Sequence, residues 1–242
     1  WKVRRARSGF RGARFVVAVT DTLRRRLVEE YGVPADRVVV VPNAADTELF
    51  SPRPAEAARS ALKLPATGPV VGFVGNLAPW QGVDVLLRAF ATVLRAIPNA
   101  TLLIVGDGQA ASDLRPLSKA LGIDSRVRFV GAVPYPQVPE HIAAMDVGTA
   151  PMTHERLRSG SSAIKVQEYL ACERPVVASR IPGLEFLETM DLGRLVPPGD
   201  ADALAEALMA VLRDGTWRRS AGERGRAYVV RQAGWPAVAA AQ

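Results

Sequence analysis

Apolar residues recur along this chain in two alternating rhythms. Short, largely apolar runs at 15–19, 38–41, 70–74, 100–105, 127–129, 146–150 and 176–179 read as strands, those at 70–74 and 176–179 as buried ones. Between them lie longer stretches with helical spacing. Residues 21–31 put Leu23 and Leu27 inward, and the stretch from Val83 does the same with Leu86, Leu87 and Phe90. Residues 134–144, 201–212 and 217–229 follow the same rhythm. This alternation predicts an α/β protein on a doubly wound, mostly parallel, Rossmann-like sheet. It also divides the chain. Residues 1–50 hold one βαβ unit whose strands need neighbours that the chain does not supply, so they read as the tail of a first domain and its junction. Residues 51–68, with several prolines and a helical run at 56–62, read as a linker, and residues 69–230 as a ligand-binding domain. For want of those strand neighbours the beginning of the first domain is expected to be missing, and the start at Trp1, with neither methionine nor a signal-peptide pattern, is uninformative about targeting.

The stretch at 160–179, GSSAIKVQEYLACERPVVAS, joins a small-residue loop, a helix and a buried strand. After Gly160, Ser161 or Ser162 is placed to cap the helix, and a helix start favours phosphate through unpaired N–H groups and partial positive charge. Lys165 follows one turn in. Glu168 lies at i+3 on the same side, while Val166 and Leu170 face the core. Two residues at this spacing also suit a solvated ion pair worth a few tenths of a kcal/mol, roughly. The context favours a site: Pro175 breaks the helix, and the carboxyl ends of strands in doubly wound sheets face a ligand crevice. A second glycine-bounded loop, GNLAPWQG at 75–82, also sits between strand and helix, where phosphates bind; Trp80 in it suits either a cover over a ligand or a pin for the loop. Gly106, Gly108 and Ala111 make G-x-G-x-x-A, the spacing of a dinucleotide fingerprint. The acid expected at the end of the next strand is absent, since 127–129 runs into Val130 and Gly131. His141, alone on its helix, reads as a surface residue.

Composition narrows the setting. The 242 residues, 48% hydrophobic, form a soluble globular protein with no apolar stretch long enough to span a bilayer. The single cysteine, Cys172, reads as a small core residue, and a cytoplasmic location is the expectation. Net charge is +7, and Lys2, Arg4, Arg5, Arg7, Arg11 and Arg14 precede the first acid, with Arg24, Arg25 and Arg26 following on a helix. That suits phosphates or peripheral contact with an anionic membrane at its inner face. Nucleic acid is not an expected partner, because no aromatic residues interleave the cations and no groove-reading motif appears.

Several segments resemble the GT-B glycosyltransferases of family 4. K-V-Q-E-Y-L-A-C-E-R-P-V-V-A-S from Lys165 is similar to the family's K-x-x-E-Y-M-A-x-G-x-P-V-V-A-S, and Pro42, Asn43, Ala44, Ala45 and Asp46 stand where P-N-G-V-D is usual. The loop at 75–82 resembles G-R-L-x-x-x-K-G, with Asn76 and Gln81 in place of the arginine and lysine that grip the donor diphosphate. The first glutamate of the family's E-x7-E is replaced by Gly160, and Glu155, the nearest acid upstream, is out of register. The segment 129–133 is similar to the loop whose backbone meets the nucleobase.

The resemblance implies the donor half of a retaining hexosyltransferase of bacterial cell-surface polysaccharide type. Its ligand would be a UDP- or GDP-sugar, with no metal or cofactor, an unidentified acceptor, and residues 231–242 crossing back to the first domain. It implies a donor site of Gly75, Asn76, Gln81, Val130, Gly131, Val133, Arg158, Gly160, Ser161, Ser162, Lys165 and Glu168. Glu168 would accept from ribose hydroxyls, and Lys165 with Arg158 would supply the cations that Asn76 and Gln81 lack. No catalytic residue is assigned. By itself the chain is expected to bind a nucleoside diphosphate without transferring sugar. Two other readings remain, a nucleotide-binding or interaction module without transferase activity and a nucleotide-sugar epimerase.

Overall fold

The computed structural model of the chain describes residues 9–10, 12–154 and 164–240. The chain opens with β1 (Val16–Ala18), α1 (Asp21–Glu29) and β2 (Val38–Val40), whose two strands pair in parallel. Thr20 caps α1 by accepting from the Leu23 N–H at 3.1 Å. Ala18, Leu27, Val33 and Val38 form a small core of their own. Of the basic cluster, Lys2, Arg4, Arg5, Arg7 and Arg11 lie outside the described residues. On α1, Arg26 pairs with Glu30 at 3.1 Å.

The main sheet comprises β3 (Val70–Val74), β4 (Thr101–Val105), β5 (Val127–Gly131), β6 (Val147–Ala150), β7 (Val176–Ser179) and β8 (Gly193–Val196). All are parallel, in the order β5-β4-β3-β6-β7-β8. The central strands are continuously apolar because both their faces are covered. Val70, Val74, Leu103 and Val105 join one buried cluster with α2 (Ala55–Ala61), α5 (Val138–Ala143) and α6 (Ile164–Ala171). Val71, Phe73, Leu102 and Ile104 join the opposite one with α3 (Val83–Ala96), α4 (Ala111–Ala120) and α8 (Ala201–Arg213). A short α7 (Phe186–Thr189) precedes β8, and α9 (Gly215–Tyr228) leads through a π-turn at Val229–Ala233 to α10 (Trp235–Ala240).

Strand order reverses beside β3, between its neighbours β4 and β6, and there the sheet opens. β3 and β6 pair at Val71–Val147 and Gly72–Gly148. One residue on, the Thr149 hydroxyl donates to the Gly72 carbonyl at 2.8 Å. The Val74 N–H then finds the hydroxyl of the fully buried Tyr169 at 2.7 Å instead of a strand partner. A phenol wedged from α6 thus satisfies a backbone group that the divergence of the strands would orphan.

Two expectations change. Residues 51–68 are part of the folded body, since Ala58 and Leu64 are buried in its core and Arg59 binds Asp146 at 2.6 Å and the Ala144 carbonyl at 3.0 Å. A stretch rich in proline and alanine looks like a linker when the residues that bury it lie some eighty positions away. His141 is buried, with Nδ1 3.0 Å from the Gln137 carbonyl, because its helix packs against the sheet rather than outside it. Among the described residues no helix is long and apolar enough to cross a membrane.

The segment at 45–50 locks the first unit to the second. Phe50 is fully buried in the main core, and Ala45 pairs with Gly234. Arg226 of α9 donates to three carbonyls, of Phe50 at 2.7 Å, Thr47 at 3.0 Å and Ala171 at 3.1 Å. Truncating it strands all three acceptors at a partly buried seam. Arg226→Ala should therefore destabilise the chain by about 2–3 kcal/mol, lowering Tm by roughly 4–10 °C. Calorimetric melting measures this, and a variant melting with the parent would remove Arg226 from the account.

Candidate functional site

A cleft of about 450 Å³ lies at the carboxyl ends of β3 and β4, beside the switch in strand order. Its floor is the end of these strands, Val74 and Gly75 on one and Val105 and Gly106 on the other. Gly75 has φ 142°, and a Cβ there would stand 2.8 Å from Lys165 Nζ. Gly106 has φ 130°, and a Cβ there would run into the Gly75 carbonyl oxygen. These glycines let two backbones approach under a ligand-sized space. The G-x-G spacing at 106–108 therefore has a packing origin: Gly106 lies against Gly75, and Gly108 against Asn76 and Leu77.

The α6 helix supplies the charges. Lys165 is 8% exposed and Glu168 5%, so the solvated ion pair allowed by their spacing does not form. Helical spacing put both on the face opposite the core, but that face is closed over by the loops at 75–82 and 132–138. Desolvation forces each to find polar partners. Lys165 Nζ donates to Gln81 Oε1 at 3.0 Å and stands over the Phe73 ring, 3.9 Å from its centroid. Gln81, 8% exposed, is itself part of the cleft wall. Glu168 Oε1 accepts from the Tyr135 hydroxyl at 2.9 Å. Burial pushes the Glu168 carboxyl above its ordinary range, and the Tyr135 hydrogen bond and the Lys165 charge only partly offset this. Burial, followed by the Glu168 charge, raises the Tyr135 phenol well above its ordinary value, so it remains a donor.

Of the residues singled out from sequence, Gly75, Asn76, Gln81, Val133, Lys165 and Glu168 line one cleft. Arg158, Gly160, Ser161 and Ser162 lie outside the described residues. Val130 and Gly131 are not in the lining. They belong to β5, an edge strand, where Val130 is exposed and the Gly131 carbonyl accepts from the Gly106 N–H at 2.8 Å. The loop reaches the cleft two residues later, at Ala132 and Val133. Trp80 is partly exposed and outside the lining, and its carbonyl accepts from the Thr153 N–H at 3.1 Å. The sequence reading missed Asp107, Tyr135 and Val138 in the lining and Tyr169 behind it. For Tyr135 a signal existed: a hydroxyl-bearing aromatic between two prolines, immediately after the loop at 129–133, is a side chain held in place.

A doubly wound sheet with a cleft at its switch point, largely apolar but holding a buried lysine and glutamate, defines a Rossmann-like α/β domain. A family model described as glycosyl transferases group 1 matches residues 68–214, and one described as glycosyltransferase family 4 matches residues 1–49. The chain belongs to this family of GT-B glycosyltransferases. It is 35% identical over 245 aligned residues to a D-inositol 3-phosphate glycosyltransferase of Kineococcus radiotolerans, covering 93% of this chain and 55% of that protein. The chain thus spans about half the length of the curated relatives it matches. Sucrose-phosphate synthase from Thermosynechococcus elongatus superposes with a TM-score of 0.82 at 28% identity, over 99% of this chain and 59% of that one. The Anabaena protein HepE, solved with UDP and glucose, shares the fold with a TM-score of 0.81 at 23% identity, over 98% of this chain and 64% of that one.

The raised Glu168 pKa makes a stability prediction with a definite sign. The unfolded carboxyl ionises at lower pH than the folded one, so the contribution of Glu168 to stability is full below the unfolded pKa and is lost as pH rises through the folded value. Glu168→Gln keeps an oxygen for Tyr135 and removes the buried charge. It should raise Tm at about pH 8 and leave it near the parent's at about pH 3.5, below the ordinary carboxyl range. Melting curves at the two pH values test this, and a Tm lowered at about pH 8 would contradict it.

Proposed function

We propose that this chain supplies the donor side of a retaining glycosyltransferase, binding a UDP- or GDP-hexose whose sugar the whole protein transfers to an acceptor. One observation carries the reading: a cation and a carboxylate one turn apart on α6 are both buried in a single cleft at the switch point of the sheet. Burying opposite charges costs stability unless a ligand repays it, and a nucleoside diphosphate offers a matching anion and ribose hydroxyls. Relatives named as glycosyltransferases and the UDP-bound HepE fold support the same reading.

In sugar transfer the bond between the anomeric carbon and the diphosphate oxygen breaks, and its electron pair leaves with the diphosphate. Negative charge therefore grows on the phosphates, and a preorganised cation stabilises it most where water is excluded. Lys165 is such a cation. Gln81 holds its ammonium at the cleft wall, so the charge that the loop at 75–82 lacks is delivered from α6. The compensation expected from sequence joined Lys165 with Arg158, and Arg158 lies outside the described residues. Glu168 takes ribose hydroxyls, and the backbone at Ala132 and Val133 lies beside the base. Residues 9–50 face the acceptor side, and no protein base is assigned from the donor cleft.

The reading separates two binding losses. Lys165→Ala should weaken UDP or GDP by about 2 kcal/mol, roughly thirtyfold, while leaving uridine or guanosine binding unchanged. Glu168→Ala should weaken nucleotide and nucleoside alike. Calorimetric titration distinguishes these outcomes. Parent-like binding by both variants would make α6 a structural element only.

A further inference from the structure

One of the two oxygens of Glu168 is engaged before any ligand arrives. The Tyr135 hydroxyl gives its proton to Oε1 at 2.9 Å, and both residues line the cleft. Tyr135 is half exposed yet held at both ends. Its ring packs on Phe50, with centroids 5.3 Å apart and planes at 57°, and Phe50 is fully buried with its carbonyl bonded to Arg226 at 2.7 Å. Arg226 also binds the Ala171 carbonyl, so the brace behind Tyr135 returns to α6, the helix that carries Glu168. Pro134 and Pro136 restrict the backbone on either side of the residue. The phenol and the carboxylate are therefore a preformed pair.

A vicinal diol presents two O–H donors and needs two acceptors. A carboxylate with both oxygens open supplies them alone, whereas in Glu168 the Oε1 position already accepts the Tyr135 proton and Oε2 is the oxygen without a protein donor beside it among the described residues. A phenol whose proton is committed keeps acceptor lone pairs. We propose that Glu168 Oε2 and Tyr135 Oη form a two-acceptor site for the cis-diol of a ribose, one hydroxyl to each, which makes Tyr135 a binding and specificity residue. This deepens the donor reading above and rests on it. It also selects against sugars lacking either hydroxyl, because a deoxy sugar makes one hydrogen bond fewer at the pair.

The pair has a pH consequence. Glu168 is faced by Lys165 from its own helix and by Tyr135 from the loop before α5, with Tyr169 beside it on α6 and Cys172 just past the helix end, while Asp46 acts on Tyr135. Burial lifts the Glu168 carboxyl, and the Tyr135 hydrogen bond is the foremost effect holding it down, ahead of Lys165. Removing the hydroxyl therefore moves the acid limb of binding to higher pH.

The test is calorimetric titration of the full chain and of Tyr135→Phe, which keeps the ring on Phe50, with UDP, GDP and their 2′-deoxy and 3′-deoxy forms. The expected result is about a tenfold loss for the ribonucleotide in the variant, from one lost hydrogen bond. Parent and variant should bind alike the deoxy form that lacks the hydroxyl Tyr135 accepts, and the acid midpoint of ribonucleotide binding should rise in the variant. An equal loss on all three sugars with an unmoved acid midpoint would make Tyr135 a prop for its loop and overturn the proposal, as would no loss at all. A parent that binds ribo and deoxy forms equally would overturn the diol site while leaving the diphosphate reading intact. A parent that binds no nucleoside diphosphate would overturn both.

Discussion

The arrangement of this chain depends on two opposite charges taken out of water one turn apart on α6. Neither a lysine at 8% exposure nor a glutamate at 5% is tolerable without polar partners, and the partners come from distant parts of the chain. Gln81 approaches from the loop after β3 and Tyr135 from the loop after β5. The cleft is therefore where two loops of the fold meet around α6. Misplacing either of them leaves a buried charge uncompensated.

The sheet below is built to let these loops meet. β3 and β6 part after two residue pairs, and Tyr169 fills the opening with a hydroxyl that takes the Val74 N–H. Burial holds this phenol protonated far above its usual range. On the other side of β3, Gly75 and Gly106 bring two strand ends into contact where side chains would fill the floor. Helix α6 thus acts in both directions. Tyr169 and Leu170 anchor it in the core, and Lys165 and Glu168, on the turn before, reach the cleft. Behind it Arg226 ties the helix to Phe50, and so to Tyr135, across the seam with the first unit.

Much of this was legible in the order of residues. Largely apolar runs marked five of the six strands of the main sheet because a doubly wound sheet is covered on both faces, and the alternation with helical stretches pointed to a parallel sheet. Lys165 and Glu168 were recognisable because their helix leads into a buried strand. What sequence spacing does not carry is which distant groups meet. The Lys165–Gln81 bond spans 84 positions and the Tyr135–Glu168 bond 33, and no local period encodes either. Val130 and Gly131 were expected at the cleft but belong to an edge strand whose end is fixed by the Gly106–Gly131 bridge. His141 looked exposed and residues 51–68 looked like a linker because the groups that pack on them lie elsewhere in the chain.

The central claim is that the buried pair on α6 holds a nucleoside diphosphate, with phosphate at Lys165 and ribose at Glu168. A crystal structure of the chain with bound UDP or GDP tests it most directly. The account predicts a phosphate oxygen within about 3 Å of Lys165 Nζ, and ribose hydroxyls shared by Glu168 and Tyr135. A nucleotide bound away from this cleft, or one in it with the phosphates beyond reach of Lys165, would contradict the account.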